Sequence, residues 1–132
     1  MTSASSLFDL SGRVAVITGG NRGIGRSIAL GMARAGAAIA VLSRNEARNS
    51  QVLAELRAIG RPAMALQVDV TARETLPGAM AAVEGALGGI ENIVNNAGVA
   101  AVTGGILNES PEVSATTLAT HLDATFLLSK LA

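Results

Sequence analysis

Cysteine, tryptophan and tyrosine are all missing from the 132 residues, and histidine occurs once. Without cysteine there is no disulfide framework, no thiolate metal site and no thiol nucleophile, and a lone histidine does not make a catalytic zinc site. Without tyrosine no phenol in this chain can act as an acid or a base. An excess of charge of one sign is also lacking: ten basic side chains offset ten acidic ones. No global field gathers nucleic acid or anionic membrane on such a surface, so neither is expected as a partner. The most apolar stretch, Ile24 to Leu42, is broken by Arg26 and Arg34 and by Gly25, Gly31 and Gly36, which argues against a membrane span. The opening MTSASSLFDLSG has neither a cationic start nor a long apolar run. It does not read as a secretory signal, and a cytoplasmic protein is expected.

What the sequence has is apolar surface, with 49% hydrophobic and 15% charged residues, enough for one core and one domain at this length. Arg13 to Thr18, Ala37 to Leu42, Pro62 to Val68 and Ile90 to Asn95 read as strands. The first two are continuous apolar runs suited to strands covered on both faces. Between them lie helical spacings: Ile24, Ile28 and Met32; Val52, Leu56 and Ile59; Leu76, Met80, Val83 and Leu87. The second stops at Gly60-Arg61-Pro62 and the third at Gly88-Gly89. Thr71-Ala72-Arg73-Glu74 fits a capping box that would start the third helix. Ser110-Pro111-Glu112 opens a last helix whose apolar row is Leu118, Leu122 and Phe126. Strands alternating with helices predict an α/β fold with a parallel sheet and right-handed crossovers.

The turn from Thr18 to Gly25, TGGNRGIG, joins the first strand to the first helix. Glycines there let the backbone bend tightly and approach a diphosphate, leaving amides and the helix N-terminus to meet its charge. Two general nucleotide motifs nearly match. Gly20 to Ser27 reads G-x-x-x-x-G-R-S, but Arg26 stands where a nucleoside triphosphatase requires lysine. The strict G-x-G-x-x-G fingerprint fails because Ile28 follows Gly23 and Gly25 at the wrong place.

Thr18, Gly19, Gly23 and Gly25 form T-G-x-x-x-G-x-G, Asp69-Val70 follows the third strand, and Asn95-Asn96-Ala97-Gly98 follows the fourth. In that order and register the chain resembles the short-chain dehydrogenase/reductase family from Leu7 onward. The resemblance implies a Rossmann-type, doubly wound parallel sheet and a nicotinamide dinucleotide cofactor. By it, Gly19, Asn21, Arg22, Gly23 and Ile24 line the phosphates and ribose, and Gly25 allows helix to pack closely on strand. Asp69 would meet the adenine amino group and Val70 its ring. Asn96, Ala97 and Gly98 would run beneath the nicotinamide ribose, with Asn95 tying the central strands together. Bland alternatives stand beside these roles: solvated charge for Arg22, a helix cap shared with Thr71 for Asp69, a strand terminus for the asparagines.

The end of the second strand discriminates between cofactors, because an acid there binds the ribose 2′-hydroxyl whereas arginine accommodates a 2′-phosphate. Ser43 occupies the place of the acid and Arg44 follows it, which predicts NADP(H) over NAD(H). The competing account makes Ser43-Arg44-Asn45-Glu46 a capping box with Arg44 in solvent. The family's chemistry converts an alcohol/carbonyl pair of a small-molecule substrate with a serine, a tyrosine and a lysine. None of these is matched here, and they would fall beyond Ala132. Its helix asparagine, which holds a water relay, aligns with His121, where imidazole can donate and accept a hydrogen bond or serve as a surface histidine. The leader Ser6 to Gly12 is similar to members acting on sugar acids. A sheet ending at the fourth strand and helix would be truncated, with one edge open. The chain alone is then expected to transfer no hydride, and the full-length protein to be a homo-oligomer. A non-catalytic nucleotide-binding module is the other reading.

Overall fold

The computed structural model describes residues 4–100 and 104–132. The first three residues of the leader lie outside this range. After a 3-10 turn at Ala4–Phe8, the elements are β1 (Val14–Thr18), α1 (Gly23–Arg34), β2 (Ala38–Ser43), α2 (Glu46–Ala58) and β3 (Ala63–Gln67). A 3-10 turn at Arg73–Thr75 leads into α3 (Leu76–Leu87), which is followed by β4 (Asn92–Val94). The chain closes with α4 (Pro111–Leu118), a π turn at Ala119–Asp123 and α5 (Ala124–Leu131).

All strand pairs are parallel, in the order β3-β2-β1-β4. Alternate residues of the central strands face opposite cores. Val14 and Val16 of β1, with Ala40 and Leu42 of β2, pack on Leu76, Met80 and Val83 of α3 and on Ala124 and Leu128 of α5. Ala15, Ile17, Ile39 and Val41 pack on Ala29, Leu30 and Ala33 of α1 and on Val52 and Leu56 of α2. Helices on both faces make the sheet doubly wound, as expected, and explain why β1 and β2 are apolar at every position before their last residues, Thr18 and Ser43. Each fully buried Ile or Leu among them contributes about 1.5–3 kcal/mol of transfer free energy. The glutamate before β4 adds a polar clamp: the Glu91 carboxylate accepts from the Val14 amide at 2.6 Å. No helix among the described residues is long and apolar enough to cross a membrane.

Several local expectations are corrected. Neither proposed capping box forms. The backbone after β3 is held by Asp69 instead, whose Oδ1 accepts from the Thr71 amide at 2.9 Å and from its hydroxyl at 2.7 Å. This turn postpones α3 to Leu76. The cap of α2 is Asn45, whose side chain accepts from the Arg48 amide at 2.9 Å, because Ser43 is still in the strand. In α1 the buried stripe is Gly25, Ala29, Leu30 and Ala33, while Ile24 is exposed. In the last helix Leu118, Leu122 and Phe126 are also exposed. Thr120, Ala124 and Leu128 are buried in their place. Helical spacing identifies an apolar row but not which of two apolar faces meets the sheet, and the π turn shifts the helical phase between the halves.

Candidate functional site

In a parallel sheet whose strand order reverses, the crevice for a ligand lies beyond the carboxyl ends of the strands. The reversal here falls between β1 and β4, and a cavity of about 610 Å³ lies beyond that edge. Every strand contributes the residues at or after its end: Gly19 and Asn21 to Ile24 after β1, Ser43 and Arg44 at the end of β2, Asp69 and Val70 after β3, and Asn96, Ala97 and Gly98 after β4. The sequence-predicted cofactor-binding residues therefore line one space, except Gly25, which is packed against Asn96 and the Gly19 carbonyl behind it.

The glycine turn is shaped by backbone and by close approach. Gly19 and Gly23 have φ of 64° and 52°, the left-handed region where side chains are strained. At Gly25 a Cβ would overlap the Asn96 side-chain amide and the Gly19 carbonyl, so α1 can press against the turn only without a side chain there. Thr18 completes the stitch. Its hydroxyl donates to the Val94 carbonyl at 3.4 Å and accepts from the Asn96 and Ala97 amides at 3.0 and 2.9 Å. Asn96 in turn donates to the carbonyls of Thr18 and Gly19 at 3.1 and 3.2 Å. Tying the central strands together thus falls to Asn96, whereas Asn95, expected in that role, is exposed and donates to the Ser129 hydroxyl at 3.3 Å.

The first turn of α1 is left without an internal acceptor. Its N-cap, Arg22, is extended and makes no side-chain cap, and no acidic residue occupies the first turn. Unpaired amides and the positive end of the helix dipole then face the cavity. Arg22 and Arg44 line the same space and are exposed. Among the described residues the ion pairs are Arg26 with Glu55 and Arg73 with Asp123, so neither cavity arginine is consumed in one. Arg26 is turned toward α2 by that pairing, which removes it from any phosphate-binding lysine's role. Asp69 is held below the usual carboxylate range, first by the Thr71 hydroxyl, then by the Thr71 amide, with the Arg44 charge also contributing.

His121 lies in the π turn. Its Nε2 is 2.9 Å from the Val99 carbonyl oxygen and 3.1 Å from the Val99 nitrogen. Its ring fills the room beside Gly98, where a Cβ would come within 2.8 Å of Cε1. The cavity wall on this side is formed by Thr116 and Thr120 rather than by His121. These two threonines, and the Thr18 hydroxyl as a stitch, are parts of the site that spacing arguments did not single out. No group of three or more potential metal ligands occurs among the described residues.

The glycine turn, the switch-point crevice and the N-A-G strip fit a dinucleotide-binding edge, and comparison with known proteins decides the family. The profile of the short chain dehydrogenase family matches residues 13–132. The chain belongs to the short-chain dehydrogenase family. It is 40% identical over 127 residues to hydroxyacyl-CoA dehydrogenase ChsB1 of Mycobacterium tuberculosis, covering 92% of this chain and 39% of that protein. It superposes on L-sorbose reductase from Gluconobacter frateurii, complexed with NADPH and L-sorbose, with TM-score 0.87 and 31% identity, covering 93% of this chain and 47% of that one. NAD+-bound xylitol dehydrogenase gives TM-score 0.88 and 29% identity, covering 92% of this chain and 47% of that one. This short-chain dehydrogenase sequence thus spans about half, or less, of the length of the relatives it matches. Within the family alignment the Rossmann-type sheet, the glycine turn and the Asn95 to Gly98 strip all fall in the matched region.

Proposed function

We propose that this chain is the dinucleotide-binding portion of an oxidoreductase acting on an alcohol/carbonyl pair, with NADP(H) favoured over NAD(H). One observation carries the reading: an uncapped helix N-terminus shares a cavity with two arginines that form no ion pair among the described residues, at a β2 end that bears no acid. The residues fit the cofactor. Gly19 and Gly23 admit a backbone curve that exposes amides, and Gly25 removes the side chain that would push α1 away from it. The pyrophosphate belongs at the α1 terminus with Arg22 beside it. The 2′-phosphate belongs between Arg22 and Arg44, where charge-assisted hydrogen bonds are strongest. Asp69, ionised and with one oxygen engaged by Thr71, leaves its other oxygen for the adenine amino group. Asn96, Ala97 and Gly98 form the ledge for the nicotinamide ribose, with His121 supporting it through Val99.

When bound, the nicotinamide supplies hydride transfer. This chain's share is to hold the coenzyme and to orient it through the ledge and the turn. It carries no phenol to exchange the proton that carbonyl reduction needs, so we place the catalytic serine, tyrosine and lysine outside these 132 residues. L-sorbose and xylitol in the names of similar structures, together with the leader's likeness to sugar-acid members, favour a sugar, polyol or sugar acid as substrate. The full-length enzyme is proposed to be a homo-oligomer. A cofactor-binding module without catalysis is the second reading, favoured by the absent tyrosine.

Titration calorimetry with NADPH and NADH tests the proposal. Heat with both and tighter binding of NADPH is expected. No heat with either on folded protein would overturn it. Carbonyl reduction by the 132-residue chain would overturn the placement of the catalytic groups.

A further inference from the structure

Asn49 is a buried polar side chain in α2, 4% exposed, on a helical face whose other buried members are Val52 and Leu56. Its amide reaches three separate parts of the chain. Nδ2 donates to the Ser43 carbonyl at 3.0 Å, at the end of β2, and to the Leu66 carbonyl at 3.2 Å, near the end of β3. Oδ1 accepts from the Asn21 side chain in the glycine turn at 2.9 Å. Asn21 is itself 7% exposed and donates also to the Asn45 carbonyl at 3.3 Å, at the cap of α2. A planar primary amide matches this task because it offers two donors and an acceptor in fixed directions. An apolar residue could fill the volume, but it would leave the Asn21 donor without its buried partner.

The positions joined are not arbitrary with respect to the cavity. Asn21 immediately precedes Arg22, and Ser43 immediately precedes Arg44. Each cavity arginine therefore leaves the backbone one residue after a group held by Asn49. We infer that Asn49 is a positioning residue for the 2′-phosphate, setting the spacing between the two guanidinium groups without touching the coenzyme. The inference rests on the coenzyme reading above. The Gly19 amide donates to the Leu42 carbonyl of β2 at 2.8 Å and Arg26 pairs with Glu55 between α1 and α2; among the described residues, the two bonds made by the Asn21 side chain are what tie the glycine turn to Asn45 and Asn49 of the β2–α2 junction and its helix. Two anchors set jointly bind a divalent group better than two set independently, because less ordering remains to be done on binding.

The test measures NADPH and NADH affinities of the 132-residue chain, its Asn49→Leu and Arg44→Ala variants, and the double variant. Asn49→Leu is expected to lower NADPH affinity about three- to tenfold, the range of one lost hydrogen bond, and to change NADH affinity less than about twofold. In the Arg44→Ala background Asn49→Leu is expected to cause no further change in the NADPH-to-NADH ratio, since it acts through that arginine. Equal weakening of both coenzymes, or an undiminished effect in the Arg44→Ala background, overturns the positioning role. If Arg44→Ala itself leaves the ratio unchanged, the 2′-phosphate reading falls and this inference with it. Should Asn49→Leu fail to fold, amide exchange on the unaltered protein decides. Greater protection of the Asn49 side-chain amide with NADPH than with NADH supports the inference, and equal protection contradicts it.

Discussion

The β1–α1 and β2–α2 junctions lie side by side at the same edge of the sheet, and they meet their helices differently. At the second, Asn45 turns its side chain onto the Arg48 amide and the helix start is satisfied from within. At the first, Arg22 occupies the equivalent position with extended backbone and caps nothing. The later α4 follows the second pattern, its Ser110 hydroxyl accepting from the Val113 amide at 3.2 Å. A cap is worth about 1 kcal/mol, so the open junction gives up stability that its neighbour retains. The open start faces the cavity and the capped one does not need a ligand, which is how a stability sacrifice points to a binding site.

The comparison can be broken most severely at Gly25. A side chain there collides with Asn96 and with the Gly19 carbonyl, neither of which can yield without undoing the stitch to β4. Gly25→Val is expected to cost about 3 kcal/mol in urea unfolding, together with loss of coenzyme binding. Arg44→Asp comes next. It replaces an attractive charge with a repulsive one, and NADPH affinity should fall roughly thirtyfold more than NADH affinity, a difference of about 2 kcal/mol; equal losses would remove the 2′-phosphate assignment.

Exchanging the two junctions' characters should produce opposite signs. Asn45→Ala is expected to lower stability by about 1 kcal/mol. Arg22→Ser gives α1 the cap it lacks and is expected to raise stability by up to about 1 kcal/mol, while NADPH affinity drops. Paired thermal melts and coenzyme titrations check this, and a gain in both quantities would show that the open terminus is not kept for binding.

The smallest effect concerns acid. Asp69 has a folded pKa below the usual 3.8, owing first to the Thr71 hydroxyl bond. Its contribution is fully present above pH 3.8 and is lost as pH falls through the lower folded value. Asp69→Asn should remove that part of the acid sensitivity, read as a smaller loss of stability on acidification below pH 4. An unchanged acid limb would show that Thr71 stabilises the carboxylate little.

Among the strands, β1 and β2 were the most legible, because burial on both faces writes itself as a continuous apolar run. β1, β2 and β3 begin and end within a residue of their expected bounds, and β4 is shorter, Asn92–Val94 against Ile90 to Asn95. The glycine turn was legible because its geometry tolerates few residue types. Less legible was anything decided by which of several polar groups reaches a given amide. Thr71 with Glu74, and Ser43 with Glu46, have capping-box spacing, yet Asp69 and Asn45 lie closer to the amides that need acceptors and take them. The exchange of Asn95 for Asn96 is a one-residue matter of which side chain the strand end turns inward. Asn49 was hidden because an asparagine in a helix, read alone, looks like surface. Its partners at Ser43, Leu66 and Asn21 are distant in sequence.

Backbone amide shifts recorded as NADPH is added test the open-junction claim most directly. Large perturbations are expected at Gly23, Ile24 and Gly25, in the first turn of α1, with the capped Arg48 amide of α2 little changed. Perturbation confined elsewhere, or equal at the two helix starts, would contradict that claim.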